Sequence, residues 1–361
     1  MGIAIGIAGT AKNTGKTTTT SAIFNELYKH KIQVALTSIG YDGEEIDNIT
    51  GLPKPRLFVK KNTILATAKK CLEAGNADYD ILETTDISTP LGKVCIVKVI
   101  KEGLAVVAGP NKGSQLNYIK SRMFNDLNCK VILVDGALNR LAPMIETDGI
   151  ILATGASRNT DIDVLVEETK ALYELLNLPT ISKDDLQFLS DIKKIALVPK
   201  DSNAKTVFLK YGSLIDNEIV NEIADIIKEI DIKVIFIPAL ISEFALKTLN
   251  DSMGNSWANK DLIISDPIKL IIGGNPETML KEVNRIKCND GNIKALKNIP
   301  LLAITVNPFY PKYRFDKSSY EPGYINKENL LNKMRTSIEV PVIDIKQEGP
   351  SRLLESILSR I

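Results

Sequence analysis

The feature that most constrains the fold is an uncharged strand pattern near the N-terminus that runs directly into a glycine- and threonine-rich loop. Residues Ile3 to Ala8 alternate small and β-branched side chains, which is typical of a buried parallel strand. The sequence then reads GTAKNTGKTTTT, and apolar residues recur at helical spacing after Thr17. Strand, polar glycine loop and helix in this order are the context that a phosphate-binding loop requires. We therefore predict nucleotide binding at this loop.

The residue types in the loop suggest a role for each position. Glycines allow backbone N–H groups to approach phosphate oxygens, and the helix start adds its unpaired N–H groups and positive dipole end. We predict that Lys16 neutralises the β- and γ-phosphates as a catalytic residue and that Thr17 binds Mg²⁺ through its hydroxyl. The nucleotide-binding residues predicted here are Gly9, Thr10, Ala11, Asn13, Thr14, Gly15, Lys16, Thr17 and Thr18. The spacing is unusual, because the position where the common pattern has its first glycine is Thr10, one residue after Gly9.

Length and charge limit the function classes. With 361 residues, the chain can form two domains or one large α/β domain with an insertion. Its net charge of +1 shows no global field for nucleic acid or an acidic membrane, so we expect neither as a partner. The N-terminus reads as a core strand rather than a cleaved signal, and the apolar runs are too short to span a bilayer. We expect a cytoplasmic protein.

Cysteine and histidine usage argues against several chemistries. The four cysteines are widely scattered, and the single histidine, His30, falls at the end of the first predicted helix. A zinc site or a disulfide framework is therefore not expected. Mechanisms that need a Ser/His or Cys/His pair lack their usual base.

The order of predicted elements indicates the fold class. Strands and helices alternate from residue 1 to about 178, with strands such as Val34–Ser38 and Gly149–Ala153 ending in polar loops. Further short strands are predicted at YDILETTD and CIVKVI, and an apolar strand at Leu104–Ala108. This order predicts an α/β fold with a doubly wound, mostly parallel sheet, in which ligands bind beyond the carboxyl ends of the strands. Candidate ligand groups at those ends, besides the phosphate loop, are Asp42, Lys112, Asp135 and Ser157.

The rest of the chain carries fewer signals. Residues from about 180 to 294 are interpreted as a second α/β unit, with strands at IALVP, KVIFIPAL and KLIIGG. Two further strands follow at IPLLAITVNP and IEVPVIDI. The tyrosine- and proline-rich segment NPFYPKYRFDKSSYEPGY between them is predicted as a long loop, either a lid or partner surface or an ordinary ordered connection.

Three further side chains are candidates for the chemistry. Asp135 ends an apolar strand and is predicted as a Mg²⁺ ligand, directly or through water; the alternative is a turn Asp before glycine. Asp42 would complete the metal shell or orient the attacking water as a catalytic residue, or else belong to a YDG turn. Lys12 lies inside the loop and would reach the γ-phosphate, within one subunit or across a dimer as in related deviant P-loops. A homodimer is accordingly expected.

The loop GTAKNTGKTTT resembles that of the dethiobiotin synthetase and cobyrinic acid a,c-diamide synthase branch of P-loop proteins, and the resemblance extends to VILVDGALN. That branch also carries Gly-Thr, four further residues and Gly-Lys-Thr. LLAITVNP followed by VPVIDI is similar to its late strands, which implies that Asn307 lies near the adenine. The resemblance implies a discontinuous nucleotide domain of residues 1–178 and 295–361, with 179–294 inserted. The branch's Lys-Pro pair after the second strand and its Cys/His glutaminase are absent, which puts ligase and amidoligase chemistry in doubt.

The layout also resembles the small ATP-binding component of the reactivase that accompanies lysine 5,6-aminomutase. This resemblance implies ATP and Mg²⁺ as cofactors and ATP hydrolysis coupled to a protein partner, either an aminomutase or a second reactivase subunit. Two other functions remain open from the sequence. One is an ATP-dependent ligase acting on a small carboxylate or amine, and the other is a non-catalytic nucleotide switch.

Overall fold

The computed structural model describes residues 2–40, 57–138, 141–181 and 187–358. The chain divides into two compact units, one of Met1–Val166 with Pro300–Ile361 and the other of Glu167–Ile299. The division from sequence, with boundaries at 178/179 and 294/295, stays a prediction.

The elements follow in chain order. The strands are β1 Ile3–Gly9, β2 Val34–Ser38, β3 Leu57–Val59, β4 Ile64–Ala68, β5 Asp78–Thr89, β6 Gly92–Lys101, β7 Gly103–Ala105, β8 Val131–Ala137, β9 Gly149–Gly155, β10 Ala196–Pro199, β11 Val207–Phe208, β12 Ile232–Ile237, β13 Asp261–Ile264, β14 Asn292–Ala295, β15 Leu301–Asn307, β16 Phe309–Arg314, β17 Ser319–Tyr324 and β18 Val342–Ile343. The helices are α1 Lys16–Lys29, α2 Gly113–Ser121, α3 Ile162–Leu176, α4 Asn217–Glu229, α5 Glu243–Met253, α6 Ile268–Ile271, α7 Pro276–Cys288, α8 Lys327–Ser337, α9 Ile345–Glu348 and α10 Ser351–Leu358.

The first unit is built on a nine-stranded sheet in the order β18-β15-β9-β1-β8-β2-β4-β6-β5. The pairs from β18 to β4 are parallel, and β6 and β5 add an antiparallel edge. The predicted fold class, α/β with a mostly parallel sheet and a further α/β unit, is therefore confirmed. Parallel strands need crossovers, and helices such as α1 supply them.

Strand β1 lies in the middle of this sheet, between β9 and β8, and all its residues are buried. Its lack of charge suits a strand covered on both faces. Ile5 and Ile7 join Ile23, Phe24 and Leu27 of α1 in the core of this unit. Each of these side chains contributes about 1.5–3 kcal/mol of hydrophobic stabilisation on burial. This packing fixes α1 against the sheet and so fixes where the loop before it lies.

Residues between β2 and α2 depart from the predicted alternation of strand and helix. The segments YDILETTD and CIVKVI, predicted as short strands, belong to β5 and β6, which form one long antiparallel hairpin. Strand β4 was not predicted, and the apolar strand predicted at Leu104–Ala108 is mostly irregular, with only β7 pairing to β3 in a separate two-stranded sheet. Alternation alone cannot tell a hairpin at a sheet edge from successive parallel strands, because both have short apolar runs.

The second unit has a five-stranded sheet in the order β11-β10-β12-β13-β14. Strands β12, β13 and β14 are parallel, whereas β10 is antiparallel to β12. The strand predicted at KLIIGG is wrong, because Ile268–Ile271 form a helix whose start is stabilised by the Asp266 carboxylate accepting from the Ile268 N–H. The strand that precedes this helix is β13.

The tyrosine- and proline-rich segment predicted as a loop is the hairpin of β16 and β17, a two-stranded sheet of its own. Pro311 and Pro322 face each other across it. Proline has no N–H for a ladder and is confined to edge strands, and in a two-stranded hairpin both strands are edges. Throughout the part of the chain that the structure describes, no helix combines the length and the apolar character needed to cross a membrane.

Candidate nucleotide-binding site

The glycine-rich loop connects the end of β1 to the first turn of α1. Two of its residues have left-handed backbones, Asn13 at φ 64° and Gly15 at φ 92°. Gly15 is the cap of α1, no side chain caps the helix start, and no acidic residue lies in its first turn. The N–H groups of that turn are therefore available to an anion. The backbone thus has the arrangement expected of a phosphate site.

Two buried threonines fix the shape of the loop. The Thr10 N–H donates to the Ala153 carbonyl at 3.0 Å, and the Thr10 hydroxyl donates to Thr154 Oγ1 at 2.9 Å. The Thr14 hydroxyl donates to the Ala11 carbonyl at 3.0 Å. A Cβ at Gly9 would lie 3.2 Å from Thr14 Oγ1, so glycine suits this close turn. Thr10 and Thr14 therefore shape the loop from within.

Lys16 and Asp135 meet at the carboxyl ends of adjacent strands. Asp135 lies on β8 in register with Ile7 of β1, two residues before the loop begins. Lys16 Nζ is 3.1 Å from Asp135 Oδ2, and the two side chains are 18% and 31% exposed. The cation predicted to bind phosphate and the acid predicted to bind Mg²⁺ thus lie within one ion-pair distance of each other, and both remain accessible to a ligand.

The donor groups at this place fit a magnesium ion held partly by the protein and partly by phosphate. Thr17 lies half-buried in the first turn of α1, next to Lys16. Mg²⁺ is usually bound by one or two protein oxygens, with waters and phosphate oxygens completing six ligands. Within the described ranges, no group of three or more His, Cys, Asp or Glu side chains forms a metal cage. Asp42, predicted as a third metal or water-orienting group, lies outside the described residues.

Of the remaining predicted residues, two contact the loop through hydrogen bonds and two have exposed side chains. Asn307, at the end of β15, donates from Nδ2 to the Asn13 carbonyl at 2.8 Å. Ser157 donates at 3.4 Å to the same carbonyl and at 3.0 Å to the Phe309 carbonyl. These two residues reach the loop. The side chains of Lys12 and Lys112 are exposed, Lys12 within the loop and Lys112 at the cap of α2.

Sequence reasoning missed two supports of this site. The hydroxyl of Thr19, in the second turn of α1, is 2.9 Å from that of Thr305 on β15, and both side chains are buried. Thr154 on β9 accepts from the loop, as described above. The only signal in the sequence was a threonine inside an otherwise apolar strand, as in ILATG and LLAITVN, and that pattern does not say what the hydroxyl contacts.

The fold and the site together define the class of the protein. A parallel sheet with β1 at its centre, a glycine loop ending in Gly-Lys-Thr at a helix start, and an acid on the neighbouring strand form the fold of a P-loop NTPase.

Comparisons with known proteins give little further information about this chain. No family model and no curated protein sequence matches the chain. A solved structure similar to it is pNOB8 ParA bound to nonspecific DNA, with 15% identity and a TM-score of 0.23 over 80% of this chain and 100% of that one.

The ParA comparison corrects one prediction. Nucleic acid was excluded as a partner from net charge, and this exclusion is contradicted because the ParA chain was solved bound to nonspecific DNA. The physical reason is that a net charge of +1 averages over the whole surface, whereas DNA contacts depend on local clusters of Lys and Arg. The exclusion is withdrawn.

Proposed function

We propose that this chain binds Mg-ATP and hydrolyses it, and that it couples hydrolysis to a protein partner. The observation that carries the proposal is the Lys16–Asp135 contact of 3.1 Å beside the uncapped start of α1. A cation, an acid and a row of free N–H groups at one place match the three needs of a nucleoside triphosphate with its metal. ATP is preferred to GTP because the sequence carries no Asn-Lys-x-Asp motif.

Each group has a distinct task in the proposed site. The loop N–H groups and Lys16 would bind the β- and γ-phosphates, and Asp135 and Thr17 would hold Mg²⁺. The metal supplies neutralisation of charge on the phosphate oxygens. Because such a transfer depends mainly on positioning and electrostatics, a site without histidine suffices. Lys12 and Asp42 remain proposed as catalytic residues.

The Lys16–Asp135 contact also predicts that phosphate and metal bind cooperatively. In the chain without ligand, each charge faces the other, so either ligand must draw one partner away. When phosphate takes Lys16, the Asp135 carboxylate loses a neighbouring cation and attracts Mg²⁺ more strongly. Nucleotide and metal would therefore each raise the affinity for the other.

The particular branch of P-loop proteins belongs to the same proposal. The dethiobiotin synthetase-like assignment rests on the Gly9 spacing and on Asn307 at the end of a late strand beside the loop. Reactivation of a cobalamin- and PLP-dependent aminomutase is the coupled task that the resemblance suggests.

Steady-state ATP hydrolysis with and without Mg²⁺ tests the proposal, together with Lys16→Ala. We expect this variant to bind ATP about 10- to 150-fold more weakly, corresponding to the 1.5–3 kcal/mol of a hydrogen bond to a charged group. Lys29→Ala is the matched control, because Lys29 lies on the same helix with its side chain 71% exposed. Unchanged ATP affinity in Lys16→Ala would refute the site. Turnover that requires an added small carboxylate or amine would indicate a ligase instead.

A further inference from the structure

The hairpin of β16 and β17 has one face made entirely of aromatic and proline side chains. Residues directly opposite each other in an antiparallel pair lie on the same face, and successive residues alternate between faces. The opposed pairs on one face are Phe309 with Tyr324, Pro311 with Pro322, and Tyr313 with Tyr320. The pairs on the other face are Tyr310 with Gly323, Lys312 with Glu321, and Arg314 with Ser319. We call the first set the aromatic face.

The aromatic face is accessible. Tyr313 is 41% exposed, Tyr324 is 66% exposed, and Phe315 at the turn is 88% exposed while its ring lies 4.9 Å from that of Tyr313.

The opposite face is charged, and part of that charge is paired within the hairpin. Arg314 forms ion pairs with Asp316 and Glu321, and the ring of Tyr310 lies so close to Gly323 that a Cβ there would approach within 2.6 Å. The two faces therefore differ in charge, because the opposite face carries ionised side chains and the aromatic face carries none.

The aromatic face has a ring pair at each end and a proline pair between them. The rings of Phe309 and Tyr324 are 5.8 Å apart, and those of Tyr313 and Tyr320 are 5.1 Å apart, both in edge contact. The two ring pairs are four residue steps apart along the strand, which gives a spacing of about 13 Å at about 3.3 Å per residue. The compact proline pair lies between them. The face is thus a shallow trough with aromatic walls and a proline floor, and it carries no charge.

The area of the aromatic face limits which partners can bind there. Six residues of two paired strands cover about 20 Å by about 10 Å, or roughly 200 Å², whereas a stable interface needs about 800 Å² from each partner. A second copy docking here in two-fold symmetry would also bring aromatic pairs against aromatic pairs and leave the prolines apart. A single extended chain fits both the area and the relief.

We propose that the aromatic face binds an extended, proline-rich segment of a partner protein. A polyproline II chain is uncharged and preformed, and its carbonyls have no internal hydrogen-bond partners, so tyrosine hydroxyls can donate to them. Aromatic grooves on small sheets recognise such chains by this chemistry.

The hairpin is connected to the phosphate loop by hydrogen bonds. The Ser157 hydroxyl lies 3.0 Å from the Phe309 carbonyl and 3.4 Å from the Asn13 carbonyl and donates its one proton to either. Asn307, two residues before Phe309, donates to the Asn13 carbonyl. The proposal rests on the proposed function in one respect, because the protein that carries the proline-rich segment is taken to be the partner coupled to ATP hydrolysis. Binding at the aromatic face itself does not depend on that function.

The test is a titration of the full-length chain with fluorescein-labelled decaproline without nucleotide, read by anisotropy. We expect saturable binding at concentrations up to the order of millimolar. Tyr313→Ala and Tyr324→Ala should each weaken it by about tenfold. Phe244→Ala is the matched control, since this phenylalanine of the second unit is 58% exposed and lies outside the hairpin. Lys312→Ala controls for the opposite face, and circular dichroism verifies that each variant is folded.

Three outcomes would overturn the proposal. The first is no saturation with decaproline, or equal binding by the tyrosine variants and the wild-type chain. The second is that the chain binds a ten-nucleotide oligothymidylate and not decaproline, and that the tyrosine variants lose this binding. That result would indicate a surface on which bases stack. The third is a dimer that dissociates in these variants, which would assign a second copy. Failure of the proposed function is distinguished by the Lys16→Ala measurement, because the decaproline titration contains no nucleotide.

Discussion

At the scale of single residues, the site is organised by two opposite charges on neighbouring strand ends. The Lys16–Asp135 pair is partly exposed, so the contact itself is worth at most about 1 kcal/mol of stability. Its importance lies in the proposed function, because it places the cation proposed to bind phosphate and the acid proposed to bind Mg²⁺ within reach of one ligand.

Asp135→Asn separates these two roles. We expect ATP affinity measured in EDTA to be unchanged or raised by up to about fivefold, since Lys16 no longer has the carboxylate as a competing partner. Hydrolysis in Mg²⁺ should be lost, because an amide is a poorer ligand for the metal. Calorimetry in EDTA and a phosphate-release assay measure the two effects. Turnover equal to that of the wild-type chain would remove Asp135 from the metal site.

Burial raises the pKa of the Cys129 thiol from 9.0 to about 12. The folded chain then keeps this proton at pH values where the unfolded chain loses it, so the folded state binds more protons between pH 9 and about 12. Stability from this group is complete below pH 9 and falls as the pH rises through that range. The largest slope for one proton is about 1.4 kcal/mol per pH unit.

Cys129→Ala should therefore flatten the decline of the free energy of unfolding above pH 9, measured by urea denaturation at several pH values. Cys288→Ala is the control because Cys288 is exposed. A decline of equal steepness in both variants would show that the Cys129 thiol does not contribute. A lower stability of Cys129→Ala at pH 7 does not affect the test, because the readout is the slope.

At the scale of elements, the loop before α1 depends on a backbone that only glycine adopts easily. Gly15→Ala places a Cβ at φ 92° and 3.4 Å from the Cβ of Asn307. We expect a loss of about 1–2 kcal/mol of stability from the left-handed conformation, and a weaker ATP affinity because the N–H groups shift. Thermal denaturation and ATP titration measure both.

The matched control for Gly15→Ala is Asn13→Gly. Asn13 also has a positive φ, and glycine adopts it without strain while keeping the carbonyl that Asn307 and Ser157 bind. We expect this variant to keep its nucleotide affinity. Equal losses in both variants would mean that the loop side chains, rather than its backbone, determine binding.

Strands near the centre of the nine-stranded sheet were predicted well, whereas the separate β16–β17 hairpin was not. Strands β1, β2 and β9 have uncharged runs bounded by polar loops, so their periodicity and ends are visible in the sequence. The β16–β17 hairpin was read as a loop because prolines and charges interrupt its apolar pattern. Its aromatic face becomes visible only once the register is known, since a shift by one residue would place every side chain on the other face.

At the scale of the whole molecule, the second unit has its own sheet and a core that includes Leu189, Val234, Phe236 and Ile263. We expect a fragment of residues 160–299, which keeps α3 complete, to unfold in one cooperative thermal transition. ATP should not shift this transition, because the fragment lacks the loop before α1. The full-length chain is the comparison. A fragment without a cooperative transition would show that this unit depends on the first for folding.

Homodimer formation, the cytoplasmic location and the absence of a membrane partner stay predictions. They rest on composition and on the resemblance.

The sequence by itself predicted the phosphate loop and the α/β fold class, because such a loop is a local arrangement whose residues are contiguous from Gly9 to Thr17. The acid that ends an apolar strand also predicted Asp135 as a Mg²⁺ ligand, and the family resemblance implied that Asn307 lies near the adenine. Only the tertiary structure decided that Lys16 contacts Asp135, that Asn307 and Ser157 both reach Asn13, and which side chains share the aromatic face. These relations depend on strand order and register, which arise from packing between residues distant in sequence.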